Sequence, residues 1–127
     1  MFVLDASAIA KLALEEVASA EVRRWYAAHP SAEKVAPHLA WSEVGRALQK
    51  AGSGMRVEEL AAVHERLFAT IELRPVAAAL AWRHARALTF HDAQYVALAE
   101  ASNATLATCD DRMAKAAGKA GVEVVSF

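Results

Sequence analysis

The sequence holds one cysteine, Cys109, with three prolines and five glycines among its 127 residues. A lone cysteine excludes an internal disulfide, and no CxxC or HExxH pattern occurs. The five histidines (His29, His38, His64, His84 and His91) show no metal-ligand spacing either. The glycines form neither GxGxxG nor a P-loop, which disfavours a nicotinamide or ATP enzyme. No linker, repeat or low-complexity tract is present beyond a heavy use of alanine, which favours high helix content and close helix packing. Long apolar runs are missing too: Glu, Arg or Lys interrupts each one well before the roughly 18 residues that a membrane span needs. Met1–Asp5 enters a strand-like segment with no basic leader, so a protein of the reducing cytoplasm with no membrane contact is expected.

What is present is a chain 56% hydrophobic and 23% charged, with mean hydropathy +0.18. That excludes a wholly disordered chain, and the length favours one domain over residues 1–127. The formal net charge of −1 argues against a strongly basic nucleic-acid binder. The acids divide unevenly, however. Eleven are Glu, the better helix former, and only four are Asp: Asp5, Asp92, Asp110 and Asp111. With these four and Glu43 set aside as site candidates, the rest of the chain carries fourteen positive against ten negative charges, or +4.

Phe2-Val3-Leu4 reads as a short buried parallel strand ending at Asp5. Ser7 is placed to cap a helix through Ile9, Leu12 and Leu14, and a second helix spans about 18–28. Val35-Ala36 suggests a brief strand before Pro37. A helix starting at Leu39 stops at Gly52-Ser53-Gly54, and Val57 to Phe68 forms a clear helical stripe. A short strand at 71–73, a helix over 77–88, another starting near Asp92, a strand at 105–108, a helix over 112–117 ended by Gly118 and a strand at 122–125 complete the chain. Strands alternating with helices predict an α/β fold: a parallel central sheet of about four to five short strands flanked by helices, with right-handed crossovers.

Ligands of such sheets bind beyond the carboxyl ends of the strands. Asp5 directly follows the first strand, and Asp110 lies two residues past Thr108 at the end of another. Asp92 falls in the first turn of a helix, where the dipole favours an anion. Glu43 lies inside a helix beside Trp41 and Val44, close to the apolar face, where an unpaired carboxylate is costly. Each acid also has an ordinary structural reading. Asp92 reads as an N-cap, Asp5 as a cap shared with Ser7, and Asp110 or Asp111 as the cap of the helix containing Met113, while Glu43 reads as a solvated helix residue. Carboxylates gathered at one rim repel by about 4 kcal/mol per pair at 4 Å and an effective dielectric of 20. A bound cation relieves that repulsion, and an all-oxygen set selects Mg²⁺ or Mn²⁺. The chemistry best supported is hydrolysis of a phosphodiester, with metal-bound water as the nucleophile.

Four segments together carry a family resemblance. Val3-Leu4-Asp5-Ala6-Ser7-Ala8 resembles the opening strand and loop of the PIN domain, specifically of the VapC-type toxins of bacterial toxin–antitoxin pairs. Trp41-Ser42-Glu43-Val44 is similar to that family's acidic helix, and Asp92-Ala93 to Ala99 to its D-A-x-x-x-A-L-A helix. Thr108-Cys109-Asp110-Asp111-Arg112-Met113 is similar to its T-x-D-x-x-L segment, with Met in the apolar place. The resemblance covers essentially the whole chain. It implies metal-binding, catalytic acids at Asp5, Glu43, Asp92 and Asp110, with Thr108, Ser7 and Asp111 supporting them. It also implies a Mg²⁺- or Mn²⁺-dependent ribonuclease acting on RNA, commonly a homodimer, and a cognate antitoxin that covers the site. Lys11 and Arg46, with Arg83 and Arg86, are candidates to approach an RNA phosphate, although a solvated helix face is the plainer reading of each. Trp25, Trp41 and Trp82 read as core or interface anchors. Two other classes remain open: an inactive PIN-like module that binds RNA or protein, and a phosphatase using Asp5 as nucleophile. The latter is weakened by the absence of a D-x-D pair, since Asp5-Ala6-Ser7 supplies one acid.

Overall fold

Three short apolar pairs, Val3-Leu4, Val35-Ala36 and Leu106-Ala107, are fully buried and lie side by side in the computed structural model, which describes residues 1–127. They belong to β1 (Phe2–Leu4), β2 (Lys34–Pro37) and β4 (Thr105–Thr108). The remaining strands are β3 (Glu72–Arg74) and β5 (Val124–Ser126). All pairings are parallel, in the order β3-β2-β1-β4-β5. The edges differ from the centre as edges should: β3 and β5 have three residues each and carry Glu72, Arg74 and Ser126, which blunts further strand addition.

Seven helices connect the strands: α1 (Ala6–Lys11), α2 (Ser19–Ala28), α3 (Leu39–Ala51), α4 (Val57–Phe68), α5 (Ala78–His84), α6 (Phe90–Ser102) and α7 (Asp111–Lys119). The chain steps outward from β1 to β3, then jumps back across β1 to β4 and β5. Right-handed crossovers therefore place α1–α4 on one face and α5–α7 on the other. The packing agrees, with α1 against α2 and α3, α3 against α4, α5 against α6, and α6 against α7. Helix α6 crosses β1, β2 and β4 and is buried from Tyr95 through Ala99, which is why it is apolar on nearly every side.

Boundaries depart from the sequence reading where local chemistry overrides pattern. Asp5, not Ser7, caps α1, and that helix stops at Lys11, before Leu14. Helix α5 ends at His84, four residues short of Leu88. Helix α7 runs through Gly118, and the left-handed turn is taken by Gly121 at φ +81°. Chain reversal between β1 and β4 creates a topological switch point at the centre of the sheet, the position where open α/β sheets bind ligands.

Candidate active site

Asp5 leaves β1 at the switch point and is only 2% exposed. Its Oδ1 accepts hydrogen bonds from the Ala8 N–H at 2.9 Å and from Ser7 Oγ at 2.5 Å, so the carboxylate caps α1. Thr108 Oγ1, at the end of the neighbouring β4, donates to Asp5 Oδ2. The same Thr108 oxygen accepts the Asp110 N–H at 2.9 Å, and Ser7 Oγ accepts the Cys109 N–H at 3.1 Å. Two hydroxyls thus lace the β1 and β4 ends together and fix where the Asp5 and Asp110 backbones lie.

Asp110 caps α7, with Oδ1 accepting the N–H groups of Arg112 at 2.9 Å and Met113 at 3.1 Å. Its Oδ2 takes no protein hydrogen bond. Asp92 is not the α6 cap that cap preferences suggest. Thr89 fills that role, its Oγ1 accepting the Asp92 N–H at 3.2 Å, and Asp92 stands in the first turn with its carboxylate free. Glu43 reaches in from α3, half-buried, and accepts a hydrogen bond from Tyr95 Oη on α6 at 3.2 Å. Asp111 is exposed in the first turn of α7.

The electrostatics follow from burial and mutual proximity. Burial pushes the Asp5 carboxyl above the ordinary carboxylate range, against the pull of the Ser7, Thr108 and Ala8 donors. Glu43 is raised first by burial and further by the negative charges of Asp92 and Asp5, with Tyr95 and His91 opposing. Burial, then the charges of Glu43 and Asp5, keep the Tyr95 phenol protonated. Cys109 is likewise raised, by burial and by Asp5, and is no activated thiolate. Tyr95 is the residue that sequence reasoning missed as part of the site. A phenol on an otherwise apolar helix needs a buried partner, and that was the available signal.

No three His, Cys, Asp or Glu side chains come close enough together to form a ligand cage. The donor chemistry nonetheless fits a hard divalent ion. Glu43 Oε1, Asp110 Oδ2 and both Asp92 oxygens have no hydrogen-bond partner in the protein. None of these four acids pairs with Lys or Arg, whereas Glu15, Glu16, Glu33, Glu59, Glu72 and Glu100 all do so or pair with His. Exposed acids such as Glu21, Glu58 and Glu65 also lack a cationic partner, but the rim acids are the ones set at strand and helix ends, and oxygen donors of this kind suit Mg²⁺ or Mn²⁺.

Tyr95→Phe isolates one contact. It removes the only hydroxyl donating to a half-buried carboxylate, so unfolding stability is expected to drop by about 1 kcal/mol. Urea denaturation measures it, and a loss indistinguishable from zero would mean that water serves Glu43 equally well.

The family model for the PIN domain matches residues 2–119. Among solved structures, PAE2754 from Pyrobaculum aerophilum is 28% identical with a TM-score of 0.70, over 98% of this chain and 90% of that one. FitAcB from Neisseria gonorrhoeae is 17% identical with a TM-score of 0.75, over 98% of this chain and 96% of the other. VapC20 from Mycobacterium tuberculosis, described as a sarcin-ricin-loop-cleaving toxin, is 16% identical with a TM-score of 0.71, over 91% and 95%. No curated protein matches significantly. A five-stranded parallel sheet in this order, acids at its switch point and a family match over nearly the whole chain agree, and the chain belongs to the PIN-domain family.

Proposed function

We propose that this protein is a divalent-metal-dependent endoribonuclease, the toxin of a type II toxin–antitoxin pair. The observation that carries the reading is the set of Asp5, Glu43, Asp92 and Asp110 around the switch point, rich in free oxygens and without a single cationic partner. These four acids would hold Mg²⁺ or Mn²⁺. When bound, the ion supplies Lewis acidity toward the phosphodiester and the attacking water. The chain's own part is positional. Thr108 and Ser7 hold the Asp5 carboxylate through both of its oxygens. Tyr95 holds Glu43 by Oε2 and leaves Oε1 open, and the α7 amides hold Asp110 by Oδ1 and leave Oδ2 open. Support for an RNA substrate comes from the likeness to VapC20, a toxin described as cutting the sarcin-ricin loop.

The partners in this reading are RNA, a cognate antitoxin and a second copy of the chain, in the cytoplasm. Trp25 is packed among Phe2, His29 and Phe127. A groove does run between α3 and α4 past Leu48, Val57, Leu60 and His64, and we place the antitoxin there.

RNA incubated with the purified protein should yield internal fragments with Mg²⁺ or Mn²⁺ and none with EDTA. Undiminished cleavage after exhaustive chelation overturns the metal-dependent reading. RNA binding without products would favour the inactive binding module.

A further inference from the structure

Helix α4 meets the N-terminal half of α3 through a stack of rings. His64 lies half-buried between the two helices, its imidazole stacked on the Trp41 indole with centroids 4.1 Å apart and planes 25° from parallel. Its Nε2 sits 2.9 Å from the Trp41 carbonyl oxygen. A carbonyl can only accept, so Nε2 carries a proton and the hydrogen bond sets the ring's orientation. The same ring reaches Gly45, where a Cβ would stand 3.2 Å from His64 Cε1, tighter than ordinary van der Waals contact. The missing side chain is what lets α4 stand this near to α3. Phe68, one turn after His64, packs edge-on against it at 5.6 Å and against Trp41 at 5.2 Å.

Trp41 and Gly45 each lie two positions from Glu43 on α3. At about 100° per residue, two positions are about 200° of rotation, so both residues face away from Glu43. His64 therefore bears on the back of α3 at the level of Glu43. The front of the same turn carries the carboxylate to Tyr95 Oη at 3.2 Å. That distance is already long for a bond between two oxygens, for which about 2.5–3.0 Å is usual. A retreat of α3 by about half an ångström would break the bond. The spacing held behind the helix thus decides whether Glu43 reaches its partner in front.

We propose that His64 is a positioning residue for Glu43: its ring, set between α4 and the Trp41–Gly45 face of α3, braces that helix so that the carboxylate meets Tyr95 and the acidic rim. The consequence for metal affinity rests on the metal-site reading above, whereas the brace itself does not. Trp41 is then neither a core residue nor an interface anchor but the plate against which the brace presses.

The test compares wild type with four variants of the full chain. His64→Ala removes the ring, and His64→Phe keeps a ring of similar size without the donor. Gly45→Ala crowds the ring while favouring the helix. Val63→Ala alters α4 beside His64 but on the side facing Leu12 and Ala13 of the α1 region. The chain has two tyrosines, so tyrosine labelled with ¹³C at the ring ζ carbon gives two NMR signals, and Tyr95→Phe assigns them. Without metal, the Tyr95 signal of His64→Ala should move more than halfway to its position in Glu43→Ala, where the acceptor is gone. Gly45→Ala should move it in the same direction, and His64→Phe and Val63→Ala should leave it near wild type. Mn²⁺ alone, titrated with free ion read by electron paramagnetic resonance, should bind about tenfold more weakly to His64→Ala, the lower end of what outer residues around metal ligands contribute. Its affinity for His64→Phe and Val63→Ala should stay within about threefold of wild type. A Tyr95 signal unmoved in His64→Ala overturns the brace, and so does an equal displacement in Val63→Ala, which would reduce the effect to general loosening of α4. Absence of Mn²⁺ binding by the wild type, with the Tyr95 pattern as expected, defeats the metal-site reading alone and leaves the brace standing.

Discussion

Asp5→Asn should abolish most RNA cleavage, by at least about 100-fold, in a protein that still folds. The reasoning separates its two duties. Asn is as good a helix N-cap as Asp, so Oδ1 can go on accepting the Ala8 N–H and α1 should persist. The second oxygen becomes an amide that donates, and a cation loses a charged donor at the centre of the rim. Loss of a residue that merely orients a metal ligand commonly costs 10–100-fold, so loss of the central acid should cost at least the upper part of that range. Thr108 Oγ1 must also give up the acceptor to which it now donates, which misaligns the Asp110 backbone it holds. Cleavage rates with Mn²⁺, read beside circular dichroism, measure the effect. Activity within a few-fold of wild type in a folded variant would remove Asp5 from the chemistry.

A second large effect is expected in stability, and its sign is set by the raised carboxyls. Asp5 and Glu43 hold their protons to higher pH when folded than in the unfolded chain, where carboxyls titrate near 3.8 and 4.5. The folded state therefore binds more protons in the interval above those values, and these two groups lower stability as pH rises through it. In EDTA their contribution should depress Tm progressively as pH rises above the ordinary carboxylate range. A saturating divalent ion reverses the effect, because it binds the ionised carboxylates and only the folded chain gathers them. At 100 times the dissociation constant the stabilisation is about 2.7 kcal/mol. For a chain of this size that amounts to roughly 10 °C in Tm at pH 8, with a smaller shift at pH 5, where protons compete. Scanning calorimetry at both pH values with EDTA and with MgCl₂ decides the matter. An identical Mg²⁺ shift at pH 5 and pH 8 would contradict the protonation argument, and no shift at either would contradict metal binding by the acids.

The parts of the fold legible in sequence were those in which one physical signal acts alone. Thr105–Thr108 is a strand in both readings because a short apolar run between a turn and a polar stretch has few other uses. Val57–Phe68 is likewise a helix with the same bounds, set by its apolar stripe. The misreadings arise where two caps or two stops compete. Ser7, Asp5, Thr89 and Asp92 are all cap residues by composition. Which of each pair accepts the amide is decided by where β1 and the α5–α6 connection deliver the chain, and that is tertiary information. In the alanine-rich stretch after His84 nothing in the side chains marks an end, and α5 stops early there. The candidate acids stood out individually by residue type and by position at strand or helix ends. Their mutual coupling, the Thr108 bridge and the Tyr95 hydroxyl depend on a sheet order that places residue 5 beside residue 107, and no local window contains that.

The central position of β1 also constrains when the acidic rim can assemble during synthesis. The first strand emerges early but must wait for a neighbour about a hundred residues downstream before Thr108 can reach Asp5. Any ribosome-bound or prematurely terminated chain ending before residue 105 exposes an unpaired side of β1 and lacks Asp110 and the Thr108 hydroxyl. On the ribonuclease reading proposed above, such truncated chains lack Asp110 and the Thr108 bond to Asp5 and should leave RNA uncut.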